Sequence, residues 1–178
     1  DAFTQGGYRM DKTENTIRYA EMLLIYAEAL NELTPGKSYT VERYNGETMT
    51  VQRDVNEMRS AMKPIRMRAG VPDFDDVIYA NQELFRTALK RERQIELVGE
   101  NCFRYYDLRR WKDALLEENQ PLMGCNINIS DDVTRVQEFY RPTVVASMPK
   151  VFTQRMYLWP FPDKEMKRNV NLTQNPGW

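Results

Sequence analysis

The strongest periodic signal in the chain lies at Thr16–Leu33. Turned about 100° per residue, Arg18, Glu21, Glu28, Asn31 and Glu32 fall into one polar strip. Ile17, Ala20, Leu23, Leu24, Ala27, Leu30 and their neighbours fill the rest. That pattern predicts a helix buried on about three sides, as in a stacked helical array rather than a lone helix on a sheet. Ala20, Leu24 and Ala27, with Pro35 beyond, echo the small-large-small spacing of tetratricopeptide helices, although no second full repeat is visible.

Pro35-Gly36 stops this helix. Tyr39–Tyr44 and Glu47–Val51 then flank Asn45-Gly46, which predicts a hairpin with a two-residue turn. A second helix is expected from about Asp54, a good N-cap, to Ala69, where Gly70 and Pro72 end it. Pro64 should kink or split it. A third helix is expected at Asn81–Val98 and a fourth at Cys102–Glu118. After Asn119 the pattern turns to short extended pieces at Asn126–Ile129, Glu138–Ala146 and Phe152–Trp159. A helical turn follows, with Asp163 at its start and Lys167 and Arg168 at its end, as the helix dipole prefers. The opening stretch, Asp1 to Lys12, is unperiodic and loop-like. The expected fold is mainly α: tetratricopeptide-like helix pairs with an irregular C-terminal region holding short strands, plus one hairpin. Residues 1–178 read as a single region, helical over 13–118 and irregular or extended over 119–178.

Composition narrows the chemistry. The 178 residues hold 25 Lys+Arg and 26 Asp+Glu, and no histidine. A formal net charge of −1 argues against nucleic acid or an anionic membrane surface as an obligatory partner. Without imidazole there is no Ser-His-Asp or Cys-His nucleophile and no Cys/His zinc site. Cys102 and Cys125 are too few for a four-cysteine site, so no metal or cofactor is expected. Bonded together they would add roughly 3 kcal/mol on the chain-entropy argument; the sequence leaves their state open. No run approaches the roughly 18 apolar residues of a membrane span.

Four motifs invite a functional reading. Gly36-Lys37-Ser38 looks like the end of a phosphate loop, but the first glycine of that motif would have to be Asn31, and a helix precedes it. It reads as a helix stop. Glu92 projects through the apolar face that Leu84, Phe85, Ala88 and Ile95 define, with Glu96 at its edge. Arg104 and Asp107 lie within the face of Phe103, Trp111, Ala114 and Leu115. Such groups need partners, from among each other or Arg66, Arg68, Arg109 and Arg110. One reading makes Glu92 and Glu96 the acid/base pair of a glycosidase. The other makes Glu92, Glu96, Arg104, Asp107 and Arg109 a structural ion-pair network. Carboxylates one turn apart point the same way and do not easily flank a glycosidic bond, which favours the second. Arg59 to Lys112 holds twelve basic and eight acidic residues, interleaved, so no basic stripe for nucleic acid emerges. Among ten Tyr, seven Phe and three Trp, the rings of Trp159-Pro160-Phe161-Pro162 are expected to seal the core. Tyr39 and Tyr44 on the hairpin are the exposed candidates for stacking on sugar, against the plainer reading of cross-strand packing.

Several blocks together resemble one known family. Ile17–Glu32 (IRYAEMLLIYAEALNE) looks like its signature helix, and Ile65–Pro72 (IRMRAGVP) like the end of the paired helix. Glu92–Leu97 (ERQIEL) with Arg104–Trp111 (RYYDLRRW), then Tyr157–Pro162 (YLWPFP) and Asn171–Trp178 (NLTQNPGW), follow in the same order. The chain is similar on these grounds to the SusD/RagB family of outer-membrane nutrient-binding lipoproteins. The resemblance implies a helical fold built on tetratricopeptide-like pairs. It also implies a cell-surface protein, lipid-anchored through an N-terminal cysteine, that captures oligosaccharides or other nutrients without cleaving them. The implied partner is a SusC-like TonB-dependent transporter. Family members are longer, so this chain is expected to be their C-terminal portion, and no ligand-contacting residue is carried over. Cys102-Phe103 stands where the family has a shorter, often His-containing connection, so the turn there is expected to differ. The alternative is a helical-repeat module that docks on the transporter without touching glycan.

Overall fold

A computed structural model describes residues 16–126, 135–145 and 150–178. It consists of two compact units, Asp1–Phe103 and Arg104–Trp178. The expected loop at 1–12 and most of the expected strand at 126–129 lie outside the described residues.

In the first unit, α1 is Tyr19–Asn31, α2 is Val55–Arg68, α3 is Asp76–Ala80 and α4 is Gln82–Glu96. Helix α1 packs on α2 and α4. The core holds Leu24, Ala27 and Leu30 of α1, Met58, Ala61, Met62 and Ile65 of α2, Tyr79 of α3, and Phe85 and Leu89 of α4. The α2 set runs i, i+3, i+4, i+7, which puts one stripe on the neighbouring helices. Asp54 caps α2 by accepting from the Asn56 and Glu57 amides, and Asn81 caps α4 in the same way. Gly70, at φ 74, ends α2 in a Schellman motif: its amide reaches the Met67 carbonyl and that of Val71 reaches Arg66.

Several expectations are corrected here. Helix α1 is not buried on three sides among the described residues: Ile17 is 67% exposed and Tyr19 77%, and Met22 and Ile25 are also exposed. Asn31, assigned to the polar strip, is instead fully buried. Helix α2 passes through Pro64 unbroken: Pro64 and Ser60, whose carbonyl loses its partner, are both exposed to water, and the packing of Met58, Ala61, Met62 and Ile65 offsets the remaining cost of the proline. Helix α3 was not anticipated. On α4, Leu84 and Ile95 are exposed, while Arg93 joins Phe85, Leu89 and Glu92 in the buried stripe.

Strands β1 (Ser38–Glu42) and β2 (Thr48–Gln52) pair antiparallel with Thr40 opposite Thr50. The turn is longer than the two residues expected. Arg43 donates to the Glu47 carbonyl and Gly46 to that of Arg43, with Gly46 at φ 80. Tyr44, Asn45 and Gly46 thus form a three-residue loop with a glycine bulge.

In the second unit, α5 is Phe103–Arg110, starting one residue before the boundary, and α6 is Ala114–Glu117. The single helix expected over Cys102–Glu118 is broken because Lys112 adopts φ 63. Lys112 donates to Arg109 and Asp113 to Leu108, a Schellman stop built on a lysine where glycine is the usual signal. Two-residue strands β3 (Met123–Gly124) and β4 (Thr143–Val144) pair, with α7 (Val136–Phe139) between them. The expected extended pieces Glu138–Ala146 and Phe152–Trp159 are thus partly helical, the second holding a 3-10 turn at Gln154–Tyr157. Helix α8 is Asp163–Arg168, with the acid-first, base-last order expected. A small core of Leu108, Ala114 and Phe152 is tied down by Asn119, which accepts from the Phe152 amide and donates to its carbonyl. Trp159 does not seal it; the ring is 77% exposed. The described residues are mainly helical, with short strands in two small sheets.

Candidate ligand-binding surface

The buried charges come first, because they decide whether the acidic pair is free for chemistry. Glu92 accepts from Arg66 at 2.5 Å, and both side chains are largely buried. Arg66 also donates to the Pro72 carbonyl at 2.7 Å and lies 4.0 Å above the Phe74 ring. Glu96 accepts from Arg68 at 2.5 and 2.6 Å and from Arg18 at 3.0 Å. Arg18 reaches on to Glu100 at 2.8 Å, and this contact is the main reason its guanidinium is held above its ordinary pKa. Glu92 therefore faces an arginine of α2, and Glu96 faces one from α2 and Arg18, the residue that precedes α1. Arg66 and Arg68 were among the expected partners; Arg18 was missed because it sits in the strip read as solvated.

The other charges of that group are placed differently. Arg104 meets Glu117 at 3.2 Å, and buried Asp107 accepts from Arg110 at 2.8 Å. Arg109 makes no ion pair with a carboxylate among the described residues. It stacks 3.4 Å over Tyr105 and 5.2 Å from Phe152, donating to the Tyr105 carbonyl. Its expected charge partner is replaced by ring faces, which accept a cation from above.

A second polar assembly was not foreseen. Asn31 donates to the Gln82 carbonyl at 3.1 Å and accepts from Arg53 at 3.0 and 3.2 Å, while Gln82 returns a bond to the Asn31 carbonyl at 2.5 Å. Arg53 reaches the Tyr79 carbonyl at 2.7 Å, and burial lowers its pKa. Beside it, Arg86 bridges Glu32 and Glu83 and holds the Glu32 carboxyl below its ordinary range. These bonds fix the hairpin's two roots, the end of α1 and the start of α2, against the start of α4.

On that base stands the hairpin that carries Tyr39 and Tyr44. Tyr44 is fully exposed at the hairpin apex. Tyr39 is half-buried, its hydroxyl donating to Thr34 at 3.0 Å and its ring carrying Lys37 at 5.0 Å. The phosphate-loop look-alike is only this turn: Gly36 at φ 77 and Lys37 bonded back to the Thr34 carbonyl. Between β2 and the facing parts of α1 and α2 is a groove of about 190 Å³, where the Tyr26 hydroxyl donates to Glu57 at 2.8 Å. A larger one of about 450 Å³ runs beside Tyr19, Leu23, Pro64 and Arg68. In the second unit, the carbonyl of exposed Trp159 accepts from Asn175 at 2.6 Å, and Gln174 brackets Phe161 on both its backbone groups. Cys102 and Cys125 are exposed and unbonded. Among the described residues no cluster of three or more His, Cys, Asp or Glu could hold a metal ion. No helix of the described residues is long and apolar enough to cross a membrane.

The SusD family model matches residues 2–178. The chain is 31% identical over 163 residues to SusD-like protein P2 of Formosa agariphila, covering 91% of this chain and 25% of that protein. It is also similar to the crystal structure of a SusD-like protein from Bacteroides fragilis, with a TM-score of 0.63 at 31% identity, over 91% of this chain and 25% of that one. The chain thus spans about a quarter of the length of these relatives.

Proposed function

The chain belongs to the SusD family, and from that premise we propose that it binds oligosaccharides or related nutrients without cleaving them, at the outer surface of the outer membrane. In this reading it hands them to a SusC-like TonB-dependent transporter, and its attachment to the membrane is through lipid. The observation that carries the proposal is the family match along residues 2–178. Two features of the molecule support it. The carboxylates best placed in sequence for hydrolysis, Glu92 and Glu96, are both engaged by arginines, whereas a glycosidase needs an acid and a base on opposite sides of the bond it cuts. The hairpin presents Tyr44 to solvent at its apex, on a base pinned by the Asn31 and Arg86 contacts, and Tyr39 lies at its root, bonded to Thr34. Flat rings of this kind stack on the apolar faces of sugars, with hydrogen bonds from neighbouring polar groups setting orientation.

Affinity electrophoresis tests this. The chain should be retarded in gels cast with at least one polysaccharide, and Tyr44→Ala should weaken that retardation without changing the melting temperature. Equal mobility in every gel would reject glycan capture.

One observation favours a second reading. The outer side of α1 leaves Ile17, Tyr19, Met22 and Ile25 exposed, an apolar stripe suited to protein contact. If the module's main ligand is the transporter, the chain should co-purify with it in detergent while binding no glycan.

A further inference from the structure

We propose that the groove between β2 and helices α1 and α2 is a sugar subsite, and that it takes an uncharged pyranose ring while rejecting uronates. The proposal rests on the glycan reading above and adds the class of sugar. Three elements far apart in sequence build the groove: Tyr26 and Leu30 from α1, Met49 and Gln52 from β2, and Asp54 and Glu57 from the start of α2. At about 190 Å³ it holds about six waters at ~30 Å³ each, the scale of one sugar ring.

Its chemistry suits a polyol. Leu30 is buried and Met49 half-buried, forming an apolar floor, and Tyr26 offers a half-exposed ring for the carbon face of a sugar. Glu57 uses Oε2 to accept from the Tyr26 hydroxyl, which orients that ring; among the described residues its Oε1 has no protein donor. Asp54 uses Oδ1 alone, for the Asn56 and Glu57 amides that begin α2. Two carboxylate oxygens and the Gln52 amide are therefore left for ligand hydroxyls. Free carboxylate oxygens accept from neighbouring hydroxyl pairs more strongly than neutral acceptors do. The Tyr26 hydroxyl is pushed up in pKa by burial and then by the Glu57 contact, so it remains a donor throughout the neutral range.

The selectivity follows from charge. Among the described residues no lysine or arginine lines the groove. Arg53 spends its guanidinium on Asn31 and the Tyr79 carbonyl, and Arg43, whose Nε lies 3.4 Å from Met49 Sδ at the groove's edge, is faced by Glu47 at 4.0 Å. With Arg43 shared with Glu47, the balance around the groove stays negative, and a uronate carboxylate within roughly 6 Å of Asp54 and Glu57 meets net repulsion, which near a protein surface amounts to at least about tenfold in affinity.

The test is a calorimetric titration of the full chain against neutral hexasaccharides (α-glucan, β-glucan, mannan, galactan and xylan) and against oligogalacturonate and oligoalginate. Wild type should bind at least one neutral oligosaccharide, and the uronates at least about tenfold more weakly. The double variant Asp54→Asn with Glu57→Gln keeps the helix cap and the hydrogen-bonding shape but removes both charges. It should narrow the neutral-to-uronate ratio to within about twofold. Tyr26→Ala should lose at least about tenfold for the neutral ligand with an unchanged melting curve. Uronates binding wild type as tightly as neutral sugars would overturn the proposal. So would neutral binding that neither the double variant nor Tyr26→Ala alters; that result rejects the subsite and leaves glycan capture standing. Binding to no oligosaccharide rejects the glycan reading itself, and the subsite with it.

Discussion

Replacing Glu92 by Ala removes the carboxylate that Arg66 grips from α2. The two side chains are 8% and 17% exposed, so the guanidinium is left largely desolvated. Breaking a buried pair from one side costs about 3–5 kcal/mol. Arg66 keeps the Pro72 carbonyl and the Phe74 ring face, which lowers the expectation to about 2–3 kcal/mol. For a chain of this size about 2–4 °C is lost per kcal/mol, so the midpoint should fall by about 5–10 °C in a circular-dichroism melt. A paired change, Glu92→Leu with Arg66→Met, leaves no charge stranded and should recover most of that loss. If Glu92→Ala melts within about 1 °C of wild type, the pair does not hold α4 to α2 and the packing argument fails. Should it melt unchanged while abolishing some measured glycan hydrolysis, the carboxylate is catalytic instead.

Asn31→Ala strips the buried acceptor from Arg53 and the donor from the Gln82 carbonyl, so the urea midpoint should drop by an amount equal to about 2–3 kcal/mol at constant slope; an unchanged midpoint would mean those bonds are matched by water. Glu32 is held below its unfolded pKa by Arg86, so its contribution is present above roughly pH 4.3 and fades as pH falls through the lower folded value. Both groups are partly exposed, so the effect is small, about 0.5 kcal/mol or less. The wild-type advantage over Glu32→Gln in melting temperature should shrink between pH 6 and pH 3, and a gap that stays constant would remove Arg86 as the cause.

What the sequence discloses is local. Asp54 and Asn81 as caps, Gly70 as a stop and the hairpin around Asn45-Gly46 depend on neighbours within a few residues, and each can be read before any fold exists. The stop at Lys112 could not, because a lysine in the left-handed region carries no compositional mark. Helical periodicity located α1 and α4 but misjudged their faces. It places Ile95 in the apolar face, where the residue is 54% exposed, and leaves out Arg93, which is only 4% exposed. A long aliphatic stem lets an arginine enter a core that a hydropathy scale denies it. The exposed Trp159 is the opposite error, an aromatic taken for core because its segment is stiff and proline-rich. For the candidate site, Tyr44 was legible from its place at a turn. The groove of Tyr26, Gln52 and Glu57 was not, since its walls meet only once the hairpin is set on α1 and α2.

The most direct test of glycan capture is to incubate the chain with an oligosaccharide it retains, then release the ligand and weigh it by mass spectrometry. Capture without cleavage predicts a saturable, reversible complex and a ligand recovered at its starting mass. Shortened chains with new reducing ends, or no complex with any glycan offered, would contradict it.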